Sequence, residues 1–466
     1  MSLCLKMPIL IHITFRRRVT KLVLLRSMKQ EAGKSNARSR EQLTGRRVLM
    51  IGWEFPPLAA GGLGVACEGL MRALRLFIDI TFVVPVFDER MTVEGLKVVG
   101  MDREAGELDI TSPEWGRLEG EQPQLDYYML DARVSDNLRS GFLKQERLPR
   151  RKIKEVLADG QVYGKDLMQK VSTYAEAVAE VFGKGDFDLI HAHDWLTYPA
   201  AVRLKKKTGK PLLLHVHALE TDRAGPGVRN AIYQVERFGL HMCDRVISVS
   251  EYTRGLIVEH YQVPAEKIEA VHNGIDAQKI FRSEHHVPEK IVAFVGRLTH
   301  QKGPFFLLET AMKVIDRFPN VRFVVAGTGD KMKDMINWTA YKGLSRHFLF
   351  TGHVTRQKVS QLLSVADVYF MPSVSEPFGL SAVEAAQFGI PCVISRQSGV
   401  SELLLHALKA DYWDTDAFAA HILMLLTKTE AHREQIELQK LDLQHISWDL
   451  AAAGVLNQYR KFLQKI

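Results

Sequence analysis

Short, almost unbroken apolar runs alternate with segments of helical period along most of this chain. "RRVLMIGW" (46–53) and "DITFVVP" (79–85) predict strands, with an apolar helix between them from about Val65. Residues 86–160 are more polar and show no clear period; they predict loops and an elaboration. Helical period returns over 164–182, and "FDLIHAHDW" (187–195), "PLLLHVHA" (211–218) and "DRVISVS" (244–250) predict three further strands. The alternation then starts again. Strands are predicted at 290–297, 321–327, 348–352, 367–372 and 391–395, with helices at 304–318, near 330–343, at 358–366 and over "LSAVEAAQFG". Continuous apolar strands separated by helices imply parallel sheets covered on both faces. Two such series, joined near 273–288, predict two doubly wound α/β domains facing one another. Ligands of such sheets bind beyond the carboxyl ends of the strands, so a site in an interdomain cleft is expected.

The expected boundaries are a basic leader over 1–45, an N-terminal domain over 46–275, a C-terminal domain over 276–445, and a final helix over 446–466. A chain of 466 residues is long enough for two full cores. Its formal charge of +8 would suit a polyanion partner, but the distribution argues otherwise. Residues 1–50 hold 12 basic and 2 acidic side chains, and the rest of the chain holds 50 and 52. The body is thus close to neutral, which speaks against nucleic acid as a partner. In the leader, Lys6 interrupts the apolar run and Arg16–Arg18 follow it, which is the wrong order for an export signal. No apolar stretch reaches the roughly 20 residues of a bilayer span, so stable membrane insertion is not expected. The four cysteines (Cys4, Cys67, Cys243, Cys392) show no CxxC spacing, which fits buried thiols in a cytoplasmic protein without a zinc site.

Polar clusters fall where strands end. In "GRLTHQKG", Arg297 and Lys302 follow a strand and precede a helix, a place where two cations can clamp a diphosphate or simply face solvent. In "SEPFGLSAVEAAQFG", Gly379 permits close backbone approach, and the amides of Leu380 and Ser381 would open a helix toward an anion. Glu376 precedes that turn. Glu384 lies one turn in, where Ser381 and Glu384 also read as a capping box. "AGGLG" (60–64) is a glycine loop that lacks the dinucleotide GxGxxG. His193, Asp194, His215, His217 and Glu220 could bind a metal, a polyhydroxylated ligand, or one another. Asp414 or Asp416 reads as a helix N-cap rather than a metal ligand.

As a set, "GRLTHQKG", "VVAGTGD", "FTGHV", "PSVSEPFGLSAVEAAQFGIPCV" and "SGVSELL" resemble the nucleotide-binding half of retaining glycosyltransferases of the family 4 group. "GWEFPPLAAGGLG", "HAHDW", "HVHALE" and "HNGID" resemble the starch and glycogen synthase branch. The likeness runs from about Arg47 to the end. It implies the GT-B fold: two Rossmann-like domains, a cleft that closes over the substrates, and a last helix crossing back to the first domain. It also implies transfer of a sugar, glucose in this branch, from an ADP- or UDP-sugar to a carbohydrate acceptor such as an α-glucan, with no metal. Glu376 and Glu384 then match the family's paired glutamates, the first at the donor sugar's anomeric carbon and the second on the ribose hydroxyls. Arg297 and Lys302 match the groups that neutralise the departing diphosphate. Gly379 and Leu380 match backbone phosphate contacts. His217, Asp194 and Asn273 match sugar-site positions, and Gly61 and Gly62 match the glycine loop over diphosphate and acceptor. One position departs. Bacterial starch and glycogen synthases have Lys in K-T-G-G-L, where this chain has Ala59-Ala60-Gly61-Gly62-Leu63, which argues against ADP-glucose and glycogen. The connection in "MRALRLFIDITFVVP" also reads as short. The rival readings are transfer to another acceptor such as a cell-envelope glycan, a nucleotide-sugar epimerase, and a non-catalytic nucleotide-sugar-binding protein.

Overall fold

The computed structural model describes residues 43, 45–58, 61–91, 93–106, 108–110, 146–158, 163, 166–276, 282–283 and 288–463. Of the expected basic leader over 1–45, only Leu43 and Gly45 lie among these residues. The chain divides into two units. One comprises the described residues up to Gly274, together with Ser375–Phe378 and those from Val455 onward; the other comprises Ile275–Val374 and Gly379–Gly454.

The first unit runs β1 (Arg47–Ile51), α1 (Gly62–Leu74), β2 (Asp79–Val84), β3 (Lys97–Gly100), α2 (Met101–Glu104), β4 (Leu108–Ile110), β5 (Glu146–Leu148), α3 (Arg150–Leu157), α4 (Leu167–Val181), β6 (Leu189–His193), α5 (Tyr198–Thr208), β7 (Leu212–Val216), α6 (Glu220–Ala224), α7 (Ala231–Met242), β8 (Arg245–Ser248), α8 (Glu251–Tyr261) and β9 (Ile268–Ala270). Seven strands form one sheet in the order β3-β2-β1-β6-β7-β8-β9, every pair parallel, while β4 and β5 form a separate antiparallel ribbon. Every residue of β6 (LIHAH) and β7 (LLLHV) is buried, as expected of strands covered on both faces. The connection from α1 to β2 is not too short after all. Arg75–Ile78 close it with a turn from the Phe77 amide to the Leu74 carbonyl, and Ile78 enters the core. Four residues suffice because αβ connections commonly take two to about six.

The second unit runs β10 (Lys290–Val295), α9 (Pro304–Arg317), β11 (Val321–Ala326), α10 (Met332–Tyr341), β12 (Phe348–Gly352), α11 (Arg356–Val365), β13 (Val368–Met371), α12 (Leu380–Gln387), β14 (Cys392–Ser395), β15 (Leu408–Ala410), α13 (Thr415–Thr427) and α14 (Thr429–Leu443). Its six strands are again all parallel, in the order β12-β11-β10-β13-β14-β15. Asp414 caps α13 by accepting from the Ala417 amide, as its sequence position implies. The last helix, α15 (Trp448–Leu463), starts in the second unit and ends in the first. There the Tyr459 hydroxyl meets Nδ1 of the fully buried His191 at 2.6 Å. Among the described residues no helix is long and apolar enough to cross a membrane.

Both sheets reverse direction of growth once. In the first, the chain builds outward from β1 and then returns to its other side with β6. In the second it builds from β10 and returns with β13. Such topological switch points leave a crevice between two strand ends, because the connections depart to opposite faces.

Candidate active site

In the first unit Gly61, Gly62, Asp194 and His217 gather at the switch point and on the strand beside it, while Asn273 follows the edge strand β9. Gly61 and Gly62 open α1 after β1, both exposed, and Asp194 follows β6 directly. Asp194 has φ 58°, the left-handed region that Asp tolerates better than most side chains. The turn is held from both sides. Asp194 Oδ1 accepts from the His217 amide at 2.6 Å and the Ala218 amide at 3.3 Å. The Thr197 hydroxyl donates to the His193 and Asp194 carbonyls, each at 2.9 Å. Burial pushes the Asp194 carboxyl up to about 7, although those amides and Arg223 pull the other way. Asn273 is buried, and Glu54, which the sequence does not single out, is buried after β1 and accepts from the Tyr163 hydroxyl.

Four histidines occupy alternate positions on neighbouring strands, His191 and His193 on β6 and His215 and His217 on and after β7, so their side chains share one face of the sheet. Successive rings lie 4.4–5.4 Å apart. His193 Nδ1 and His217 Nε2 share a hydrogen bond of 3.0 Å. Burial keeps these imidazoles neutral, lowering His217 and His191 to about 3. His217 alone of the four is half-buried rather than buried, which makes it the ring able to meet a ligand.

Glu376 does not stand with the other C-terminal candidates. It lies in Ser375–Phe378, the short stretch that packs with the first unit. The Ser375 hydroxyl donates to Asp222 and lies 2.9 Å from the Tyr252 hydroxyl. The Pro377 carbonyl accepts from Ser250 Oγ at 2.6 Å and from Thr253 Oγ1 at 3.3 Å. Asp222 sits on α6, which is held by an ionic cluster. Arg223 pairs with Glu220 (2.9 Å) and Glu236 (3.0 Å), Glu236 accepts the Glu220 amide at 2.9 Å, and Asn230 donates to Glu220 at 2.8 Å. Residues more than a hundred positions away thus hold the chain on both sides of a 7% exposed Glu376.

In the second unit the switch point is flanked by Arg297 and Lys302 after β10 and by Gly379 and Leu380 after β13. Arg297 is exposed and Lys302 half-buried. Gly303, at φ 67°, has to be glycine: a Cβ there would stand 1.9 Å from the Pro372 carbonyl oxygen at the end of β13. That close approach brings the Lys302 loop against the strand that leads to the glutamate segment. The capping box does not form. Gly379, at φ 108°, is itself the N-cap, and α12 starts at Leu380. Ser381 therefore lies inside the first turn, where its Oγ accepts from the Tyr369 hydroxyl at 2.7 Å. Glu384 is the fifth helical residue, two positions past the one that can reach back to the cap. It is left for another partner, its carboxyl raised by burial and drawn down by nearby Arg356.

Residues 276–441 match the family model "Glycosyl transferases group 1", and residues 147–279 match "Glycosyltransferase Family 4". An uncharacterized glycosyltransferase of Methanocaldococcus jannaschii is 27% identical over 436 residues, covering 89% of this chain and 98% of its own. A glycogen synthase of Mycobacterium tuberculosis is 26% identical over 379 residues, covering 77% and 80%. Among solved structures, sucrose-phosphate synthase from Thermosynechococcus elongatus shares the fold with a TM-score of 0.66 at 18% identity, over 90% of this chain and 100% of that one. With two parallel α/β units and two adjoining family matches, the chain belongs to the GT4-like glycosyltransferases of the GT-B fold.

Proposed function

We propose that this protein transfers a hexose, glucose by its resemblance to the starch and glycogen synthase branch, from a nucleotide sugar to a carbohydrate acceptor, an α-glucan being the first to test, with retention at the anomeric carbon and without a metal. The observation that carries the reading is positional. In the first sheet Gly61, Gly62, Asp194 and His217 lie at or beside the switch point, and in the second Arg297, Lys302, Gly379 and Leu380 flank it, which is where an open α/β sheet binds its ligand. Beyond β10 and β13, Arg297, Lys302 and the Leu380 amide supply cations and a helix N-terminus for a diphosphate. Beyond β6 and β7, Asp194 and a neutral His217 offer acceptor and donor groups suited to sugar hydroxyls. Glu376 stabilises positive charge at the anomeric carbon, and Glu384 takes the ribose hydroxyls. The acceptor hydroxyl attacks on the face from which the diphosphate departs, and a phosphate oxygen takes its proton. Similarity to a glycogen synthase over 80% of that protein's length supports the glucan acceptor.

The test is nucleoside diphosphate release from ADP-glucose, UDP-glucose and GDP-mannose, with and without a maltooligosaccharide, beside Glu376→Gln. Release from one donor that needs the glucan and falls at least a hundredfold in the variant is expected. Release that ignores the glucan would remove the glucan reading, and full activity in Glu376→Gln would remove that residue's role.

A further inference from the structure

The histidine face holds a second arrangement, which shares His217 with the proposed sugar site. Cys67, on α1, brings a free and fully buried thiol to His193 and His217, and the ligand atoms of the three lie within 4.8 Å of one another. We propose that Cys67, His193 and His217 form a site for a borderline-soft divalent cation of the zinc class, and that filling it switches the enzyme off.

Three features carry this. The first is ligand chemistry: one thiol and two neutral imidazoles are the donors zinc prefers. The second is spacing. His193 Nδ1 and His217 Nε2 already face each other at 3.0 Å across a shared proton. Two nitrogens on one tetrahedral zinc, with bonds of about 2.0–2.1 Å, stand about 3.4 Å apart, so the pair has to open by a few tenths of an ångström and each ring to tilt until its lone pair meets the ion. On binding, the ring that carries the shared proton shifts it to its other nitrogen, and the Cys67 thiol releases its proton to solvent. For His193 that other nitrogen, Nε2, is buried and has no partner. The third feature is access. The half-buried His217 ring provides the way in.

The neighbouring group His191, His193 and His215 is as compact but differently built. No two of its ring nitrogens share a hydrogen bond, since both nitrogens of His215 and Nε2 of His191 and His193 have no partner. It also lacks a thiol.

The inhibitory consequence rests on the proposed function, since a His217 that ligates a metal cannot contact the donor sugar. The site itself does not depend on that reading, so the first measurement avoids activity altogether. Full-length protein freed of metal with a chelator is titrated with Co2+, and the thiolate-to-cobalt absorption band is followed. One equivalent of band, bleached by Zn2+, is expected. It should vanish in Cys67→Ser and persist when Cys4, Cys243 and Cys392 are all replaced by alanine. Zinc affinity should drop at least tenfold to a hundredfold in Cys67→Ser, since even groups that only support a ligand cost that much. No band in the wild type, or a band that survives Cys67→Ser, overturns the site. Circular dichroism of both variants shows whether they fold, and the wild-type titration decides the matter if Cys67→Ser does not. Zn2+ should then inhibit diphosphate release reversibly in the wild type and not in Cys67→Ser. Binding without inhibition overturns the switch. A protein with no diphosphate release from any donor refutes the transferase reading instead, and leaves the cobalt result standing.

Discussion

Replacing Asp194 by Asn should make the first unit more stable at alkaline pH, and the size of the gain follows from its surroundings. Burial raises this carboxyl from 3.8 to about 7. The folded protein therefore keeps the proton up to about pH 7, whereas the unfolded chain gives it up near pH 4. A raised carboxyl contributes its stability fully below the unfolded pKa and loses it as pH climbs through the folded one. The shift is about three units at 1.36 kcal/mol each, so holding Asp194 ionised costs about 4 kcal/mol above pH 7. Asn keeps an oxygen for the His217 and Ala218 amides, accepts the left-handed φ of 58°, and does not titrate. Urea denaturation, followed by the fluorescence of the buried Trp53 and Trp195, should show Asp194→Asn gaining on the wild type by about 3 kcal/mol between pH 4.5 and pH 8. Glu236 and the other shifted groups are common to both proteins and cancel in the difference. A gap that stays flat with pH, or a wild type that is the more stable at pH 8, would refute the reasoning. It would mean that the two amides outweigh burial.

Three further outcomes follow from the packing. Gly303→Ala should destabilise the second unit by at least about 2 kcal/mol in denaturant unfolding, because left-handed strain adds to a clash with the Pro372 carbonyl; a cost below 1 kcal/mol would contradict the close approach. Arg223→Ala leaves Glu220 and Glu236 buried without their cation and should cost about 3–5 kcal/mol, with Glu236→Gln restoring part of it in the double variant; an additive double variant would deny the coupling. Tyr459→Phe strips the partner from His191 Nδ1 and should cost about 1–3 kcal/mol in the first unit's melt, an effect absent if α15 is dispensable there.

What could be read from the sequence was decided by locality. The long aliphatic strands at 47–51, 189–193, 212–216, 290–295 and 321–326 announce themselves, because a strand buried on both faces needs no help from distant residues. The short strands β3 (KVVG), β9 (IEA) and β15 (LKA) do not, since three or four residues of mixed character become strands only once a neighbour offers its edge. The capping box failed for a related reason. Ser381-x-x-Glu384 is a sound local pattern, but Gly379 took the cap and Tyr369 took the serine. The candidate residues beyond β1, β6, β10 and β13 were legible through motifs. Their supports were not: the anchoring of Ser375 by Asp222, and the meeting of Cys67 with His193 and His217, join residues more than a hundred positions apart.

The path of the chain carries a consequence for biosynthesis. The first unit takes its last pieces from Ser375–Phe378 and from α15. A ribosome that has finished β9 has therefore made the whole first sheet but neither of these, and His191 must wait for a tyrosine translated 268 codons later. A frameshift or stop codon beyond β15 would spare every strand of both sheets and still leave the first one unfinished. Nascent chains stalled there should be the form most in need of chaperones, and a tag or fusion that unravels α15 should damage the opposite end of the gene product.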